Sequence, residues 1–274
     1  MLRVGTSGWI YKEWAGTFYP KKMPKHGQLA FYAGRFDTVE LNASFYRLPT
    51  ENAARNWKNG VPENFIFAVK GSRFITHMKK LNIEPASMAI FFERIRPMAE
   101  KTGPILWQLP PQLPLDLPRL RRFIRGLPKR FRHAFEFRHP SWYVPETFDV
   151  LRRHRMAHVG VSSMLMPPAT EVTSDFVYVR FHGLEGGARH DYTSAELMPW
   201  VSKCRRWLAD GLTVWAYFNN DLNTRAPDNA IMFRELATTA PQRRRMGDGA
   251  DTAARIRRRR FDGADETARM RRRG

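Results

Sequence analysis

Residues 176–183 read Phe-Val-Tyr-Val-Arg-Phe-His-Gly, and the alternation in this stretch decides the fold. Val177, Val179 and Phe181 fall on one parity, while Tyr178, Arg180 and His182 fall on the other. A strand with that pattern sends apolar side chains to one face and polar ones to the opposite face. In a barrel the outward parity lies under helices, so charges fit only on the lumen parity near the strand ends.

Working outward, seven more short apolar, β-branched or aromatic runs occur at residues 2–8, 38–44, 65–70, 104–109, 134–138, 157–162 and 213–219, making eight with 176–182. Stretches of helical spacing lie between most of them, at 28–34, 51–59, 85–101, 117–126, 141–154, 194–211 and 227–239. Thr50 and Ser194 are read as N-caps, with Glu196 at N2, and Gly211 as a helix stop. Strand alternating with helix implies parallel pairing through right-handed crossovers. Eight units in about 240 residues fit a closed (β/α)8 TIM barrel of class α/β. The weak unit is 163–175, where Met166-Pro167-Pro168 leaves little room for a helix.

The parity rule holds in the other strands. Glu40 and Asn42 stand opposite Val39 and Leu41, and Glu136 and Arg138 stand opposite Phe135 and Phe137. Lys70, Gln108, Asn219 and Asp221 complete a polar set expected at one mouth of the barrel. Taken singly, each is as consistent with a structural salt bridge as with a site. Six strands all placing polar groups at their carboxyl ends favour a site, because an unpaired buried ion costs several kcal/mol.

The 274 residues carry 46 Lys plus Arg against 26 Asp plus Glu, a formal charge of +20. Such an excess calls for an anionic partner. Composition changes at Pro241: from there to Gly274 there are 12 Arg and 5 acidic residues, so the tail holds 7 of the excess charges and residues 1–240 keep +13. The expected organisation is a barrel over 1–240 followed by a disordered Arg-rich tail over 241–274, either a solvated extension or an arm seeking nucleic acid. A 43% apolar content excludes a globally disordered chain. The single cysteine, Cys204, excludes an intrachain disulfide framework. With no secretion signal and no long apolar run, no membrane span and a cytoplasmic location are expected.

Motifs in a fixed order resemble the DUF72 family, also called YecE-like. They are Gly5-Thr6-Ser7-Gly8-Trp9 with Tyr11 and Trp14, Val39-Glu40-Leu41-Asn42 with Ser44-Phe45-Tyr46, and Phe67-Ala68-Val69-Lys70 with Phe74-Ile75-Thr76-His77. The series continues through Leu106-Trp107-Gln108-Leu109-Pro110-Pro111, Glu136-Phe137-Arg138-His139-Pro140-Ser141-Trp142, Tyr178-Val179-Arg180-Phe181-His182-Gly183 and Tyr217-Phe218-Asn219-Asn220-Asp221. The resemblance implies a TIM barrel and supplies no reaction, since the family is one of unknown function. Family members usually carry Gly where this chain has Thr224, so the loop after the eighth strand is expected to differ.

The residues themselves suggest chemistry. Arg138, Arg180 and Lys70 suit a phosphate or carboxylate, and the loop 182–187 offers glycines whose amides could turn toward the same anion. Trp9, Tyr11, Tyr46 and Trp142 are candidates to stack on a base or sugar, or equally to pack as a lid. Asn42, Gln108, Asn219, Asn220 and Asp221 are further substrate-binding candidates. Glu136, His182 and Glu40 are the candidate catalytic residues, with His182 the better acid at neutral pH. His139 reads as a cap beside Pro140, and Cys204 as inert packing. Metal ligation by Glu40, Glu136, His182 and Asp221 is not favoured among so many cations, and no cofactor is expected. The leading expectation is a barrel enzyme, a hydrolase or lyase, on a phosphorylated or nucleic-acid-like substrate. The alternatives are a glycoside-processing enzyme using two of Glu40, Glu136 and Asp221, and a non-catalytic nucleic-acid-binding protein.

Overall fold

A computed structural model describes residues 1–239; the Arg-rich tail expected at 241–274 lies outside the described residues. Eight parallel strands follow in order: β1 (Leu2–Thr6), β2 (Thr38–Leu41), β3 (Ile66–Lys70), β4 (Thr102–Gln108), β5 (His133–Glu136), β6 (Ala157–Ser162), β7 (Phe176–Phe181) and β8 (Thr213–Phe218). β1 pairs with β8, and from β8 back to β2 each strand pairs with its sequence neighbours, which makes the (β/α)8 barrel with β1 and β2 meeting at its seam. The helices are α1 (Lys25–Ala33), a single turn α2 (Ala43–Tyr46), α3 (Glu51–Asn59), α4 (Pro85–Ile95), α5 (Leu117–Arg125), α6 (Pro145–Arg153), α7 (Ser194–Ala209) and α8 (Arg225–Thr238). No helix is described between β6 and β7, where Met166-Pro167-Pro168 leaves little room for one.

Prolines explain where helix ends depart from the spacing. The stretch 85–101 divides into α4 and a 3-10 turn over Arg96–Lys101, because Pro97 lacks the amide that would continue the ladder. The stretch 141–154 begins as a helix only at Pro145, which suits a first helical position. Thr50 caps α3 by accepting from the Ala53 amide at 3.1 Å. The cap of α7 is Thr193, not Ser194: Thr193 Oγ1 accepts from the Glu196 amide at 3.3 Å while the Glu196 carboxylate accepts from the Thr193 amide at 2.8 Å. That reciprocal pair is a capping box, with Glu196 at N3.

Two cores follow from the parity rule. Val177, Val179, Phe181, Val214, Ala216 and Phe218 pack outward under the helices. Inside the barrel Ala68, Leu106, Ala134, Val159, Val161, Phe176, Tyr178, Trp215 and Tyr217 fill the lumen. The barrel is therefore solid up to the level of Tyr178 and Tyr217, whose rings lie 5.2 Å apart. Only the layer above them can hold a site.

The ladder is complete except between β1 and β2, which share a single bridge, Ser7 to Glu40, among the described residues. Tyr32 from α1 fills this seam. Its hydroxyl accepts from the Thr6 amide at 2.9 Å and donates to the Thr38 carbonyl at 3.1 Å, joining two backbone groups that cannot reach each other. Gly5 makes the approach possible, since a Cβ there would stand 2.3 Å from the Thr38 carbonyl oxygen. Tyr32→Phe would leave that donor and acceptor unpaired and buried, at a cost of about 1–3 kcal/mol. Urea unfolding should show the loss as a lower midpoint with an unchanged slope.

Candidate active site

At the carboxyl ends of the strands the centre is Arg180, the last lumen-facing residue of β7 and wholly buried. Its guanidinium grips Glu40 of β2 with two parallel bonds, Nε to Oε2 at 2.9 Å and Nη2 to Oε1 at 2.7 Å. Nη1 donates to Glu136 Oε2 at 2.6 Å, and Nη2 also reaches Ser7 Oγ at 3.1 Å. The remaining N–H faces His182 Nε2 at 3.0 Å. All five guanidinium donors are thus engaged.

The carboxylates are equally committed. Glu40 accepts from Tyr178 at 2.7 Å and from Ser7 Oγ, which in turn accepts from Asn42 Nδ2 at 2.8 Å. Glu136 Oε1 accepts from Gln108 Nε2 at 2.9 Å and Arg138 Nη1 at 2.7 Å, with His182 Nε2 at 3.2 Å. Burial alone would raise both acids. The Arg180 charge on each, with Lys70 helping at Glu40 and His182 and Arg138 at Glu136, outweighs burial and holds both below the usual carboxylate range, Glu136 well below it.

His182 meets Arg180 and Arg138 at Nε2, the latter at 3.1 Å, and Asn219 at Nδ1, also 3.1 Å away. Burial and the Arg180 charge push its pKa down to about 4 against the pull of Glu136. Burial and the neighbouring guanidinium thus favour the neutral imidazole.

Lys70 closes β3 on the lumen side. Its Nζ lies 4.3 Å over the Phe45 ring and has no hydrogen-bond partner among the described residues. Burial and the Arg180 charge lower its pKa to about 8, although Glu40 and Glu136 work the other way. His77, edge-on to Phe45 at 5.0 Å, is lowered by its own burial and by Lys70. Arg138 is the other cation at the rim, with its side chain 26% exposed.

The remaining candidates divide. Tyr11 donates to the Ser7 carbonyl and stands beside Asp221, whose carboxyl burial raises. Trp9 and Tyr46 line an apolar cavity of about 230 Å³ that shares Asn42 and Tyr11 with the polar network. Trp142 is not at the mouth: it is buried, stacked on Phe137 at 4.7 Å, and its indole donates to the Leu113 carbonyl at 2.8 Å. Asn220 also turns inward, donating to the His190 carbonyl at 2.8 Å and Asn229 Oδ1 at 2.6 Å. In the 182–187 loop the Gly183 amide donates to the Tyr192 hydroxyl and the Gly187 amide to the Leu184 carbonyl, so these two amides are spent within the loop and its neighbours.

His139 caps the following turn by accepting from the Ser141 amide at 3.2 Å. Cys204 is buried among apolar residues, and burial pushes its thiol up to about 12. Among the described residues no three His, Cys, Asp or Glu side chains gather as a metal site. Nor does any described helix have the length and apolarity to cross a membrane.

Thr224, the residue on which the loop after β8 was expected to differ, lies in a 3-10 turn over Leu222–Thr224. It keeps a left-handed backbone, φ +61°, which a β-branched residue holds at a cost of about 1–3 kcal/mol. In return its hydroxyl donates to the Glu13 carbonyl at 2.8 Å and accepts from Thr17 at 3.1 Å, ties that glycine could not make. Reasoning from sequence passed over Ser7, Phe45 and His77 as site residues. Ser7 carries a usable signal, two positions beyond Gly5 on the lumen parity, whereas Phe45 and His77 sit in turns without periodicity.

Residues 3–253 match the family described as protein of unknown function DUF72. The chain belongs to the DUF72 family. It is similar to the UPF0759 protein YecE of Escherichia coli strain K12, 28% identical over 167 residues, 61% of this chain and 59% of that protein. The match thus spans about three fifths of the length of that relative. The UPF0759 protein YunF of Bacillus subtilis is 25% identical over 271 residues, 86% of this chain and 94% of its own. The crystal structure of a DUF72 family protein from Thermotoga maritima superposes with a TM-score of 0.77 at 28% identity, covering 86% of this chain and 98% of that one.

Arg180→Met should reverse the pH dependence of stability. In the wild type the lowered carboxylates add stability above about pH 4.3, lost as pH falls further, and His182 loses its share as pH falls from about 6.5 toward 4. Removing the guanidinium leaves two buried anions, costs about 3–5 kcal/mol at neutral pH, and makes the protein weaker as pH rises. Urea midpoints at pH 4 and pH 7 should therefore change order between the two proteins.

Proposed function

We propose that this mouth is the active site of a lyase-type enzyme for a small anionic substrate, in which Arg138 meets the phosphate or carboxylate and Lys70 moves a proton from carbon. One observation carries the reading. Every donor of Arg180 and the oxygens of Glu40 and Glu136 are committed to one another, whereas the Lys70 amine stands at the mouth with no hydrogen-bond partner among the described residues. A lysine near pKa 8 is partly neutral at physiological pH and suited to act as a base. Glu40, Glu136 and Arg180 then serve as a fixed electrostatic floor rather than as reagents, a change from the roles their positions suggested. Among the described residues Arg138 leaves Nη2 and Nε for a ligand while Nη1 holds Glu136.

The floor narrows the glycoside-processing alternative. That chemistry needs one carboxyl with a raised pKa as acid; both glutamates are lowered, which leaves Asp221, whose carboxyl burial raises, as the acid open to it among the three.

The test is solvent exchange. A panel of small phosphorylated and carboxylated carbonyl compounds is incubated with the protein in D2O, and loss of the α-proton signal is followed by NMR. At least one compound should exchange, with a rate rising through about pH 8. Lys70→Met should slow it by about 10²-fold or more, and Arg138→Met should weaken saturation by about tenfold or more, with near-ultraviolet circular dichroism confirming the fold. Exchange that is absent across the panel, or unchanged in Lys70→Met, would sink the reading.

A further inference from the structure

The strongest concentration of unpaired charge is at the opposite end of the barrel, where the strands begin. A trough of about 730 Å³ opens between the connection from α5 to β5 and the one from α6 to β6. Arg125, Lys129 and Arg132 line one side and Arg153, His154 and Arg155 the other, all exposed. The acid in its lining is Asp175, 3.8 Å from Arg132. Arg125, Lys129, Arg153 and Arg155 make no salt bridge among the described residues. Two further cavities continue the track. One shares Arg155 and Asp175 with the trough, and the other shares Arg132 and runs past Arg130 to the first residues of β1, β4 and β8.

Local structure keeps these side chains on display. Arg155 occupies a left-handed position, φ +54°, just past α6, where its amide donates to the Arg152 carbonyl and the Met156 amide to the Leu151 carbonyl. Glycine is the usual residue in that place, so an arginine is held there against a conformational cost. Phe131, between Lys129 and Arg132, is buried beneath Arg130, whose guanidinium carbon lies 5.0 Å from the ring centroid. Packing thus turns the apolar side of the segment inward and its cations outward.

We propose that this face binds the sugar–phosphate backbone of a nucleic acid, separately from the chemistry at the mouth. A small phosphate would be held by donors converging in a buried pocket. Here exposed cations line two walls of an open trough that continues into neighbouring cavities, which fits a repeating polyanion gripped by counterion release. Phe131, the one Phe, Tyr or Trp of the trough's lining, is buried, so the trough presents cations to phosphates and no Phe, Tyr or Trp face to a base.

Fluorescence anisotropy of the full chain with a labelled 20-base-pair DNA duplex and a labelled 20-nucleotide RNA tests this. Both affinities should fall linearly on a logarithmic salt scale. Removing three charges with R125S/K129S/R153S should weaken binding about tenfold or more at 0.1 M salt and flatten the duplex slope by about 2–3. R125K/R132K/R153K should stay within twofold, because charge and not fork geometry is read. K21S/K22S/K25S, an equal loss of exposed charge at another place, should also stay within twofold. The Arg-rich residues 241–274 are present in every protein compared, so their contribution cancels. The proposal is overturned if the wild type binds neither probe, if the trough variant binds as well as wild type, if the Lys21 control loses as much, or if poly-glutamate of equal charge competes as well as unlabelled duplex.

Discussion

One guanidinium between two carboxylates is the constraint around which the upper barrel is arranged. Arg180 reaches from β7 across the lumen to Glu40 on β2 and Glu136 on β5, so three strands far apart in sequence are tied by charge at a single level. Buried ions are costly to desolvate, and such a cluster persists only when every donor and acceptor is met. Ser7, Asn42, Tyr178, Gln108, Arg138 and His182 supply what the three ions cannot supply to each other. The cluster also sets the chemistry beside it: the Arg180 charge helps keep Lys70 easy to deprotonate and His182 neutral.

The fold was legible because its signal is local. Alternation along 176–182 separates lumen from shell within one strand, and repeating it eight times leaves few architectures. Departures came where proline or capping chemistry set a boundary, as at Pro97, Pro145 and Thr193. The site was legible only in its membership. Parity placed Glu40, Lys70, Glu136 and Arg180 at one mouth, yet partnership depends on side-chain reach across the lumen, which no spacing encodes. Arg180 therefore read as an anion ligand although its donors are spent on its neighbours. Trp142 misled for a related reason: following a strand end does not fix which way a ring turns, and Phe137 offers it a stacking partner inside.

The charge excess separates into two regions with different physics. At the mouth, cations and anions nearly balance and are buried, so their effect is to tune protonation over a few ångströms. On the opposite face the cations are exposed and largely unpaired, so their effect is long-ranged and screened by salt. A net charge of +20 says little about the buried cluster, and that cluster says little about the excess.

The interrupted ladder between β1 and β2 bears on how the molecule moves. Elsewhere neighbouring strands share several backbone bonds, but here a tyrosine hydroxyl from a surrounding helix and one bridge at Glu40 span the gap. That seam carries fewer backbone bonds than the other neighbouring strand pairs among the described residues, and it runs upward into the anchor of the ion cluster. Widening it would slacken the grip on Glu40 before any other strand pair parted, so the mechanical weak point of the scaffold and the electrostatic keystone of its mouth share one residue.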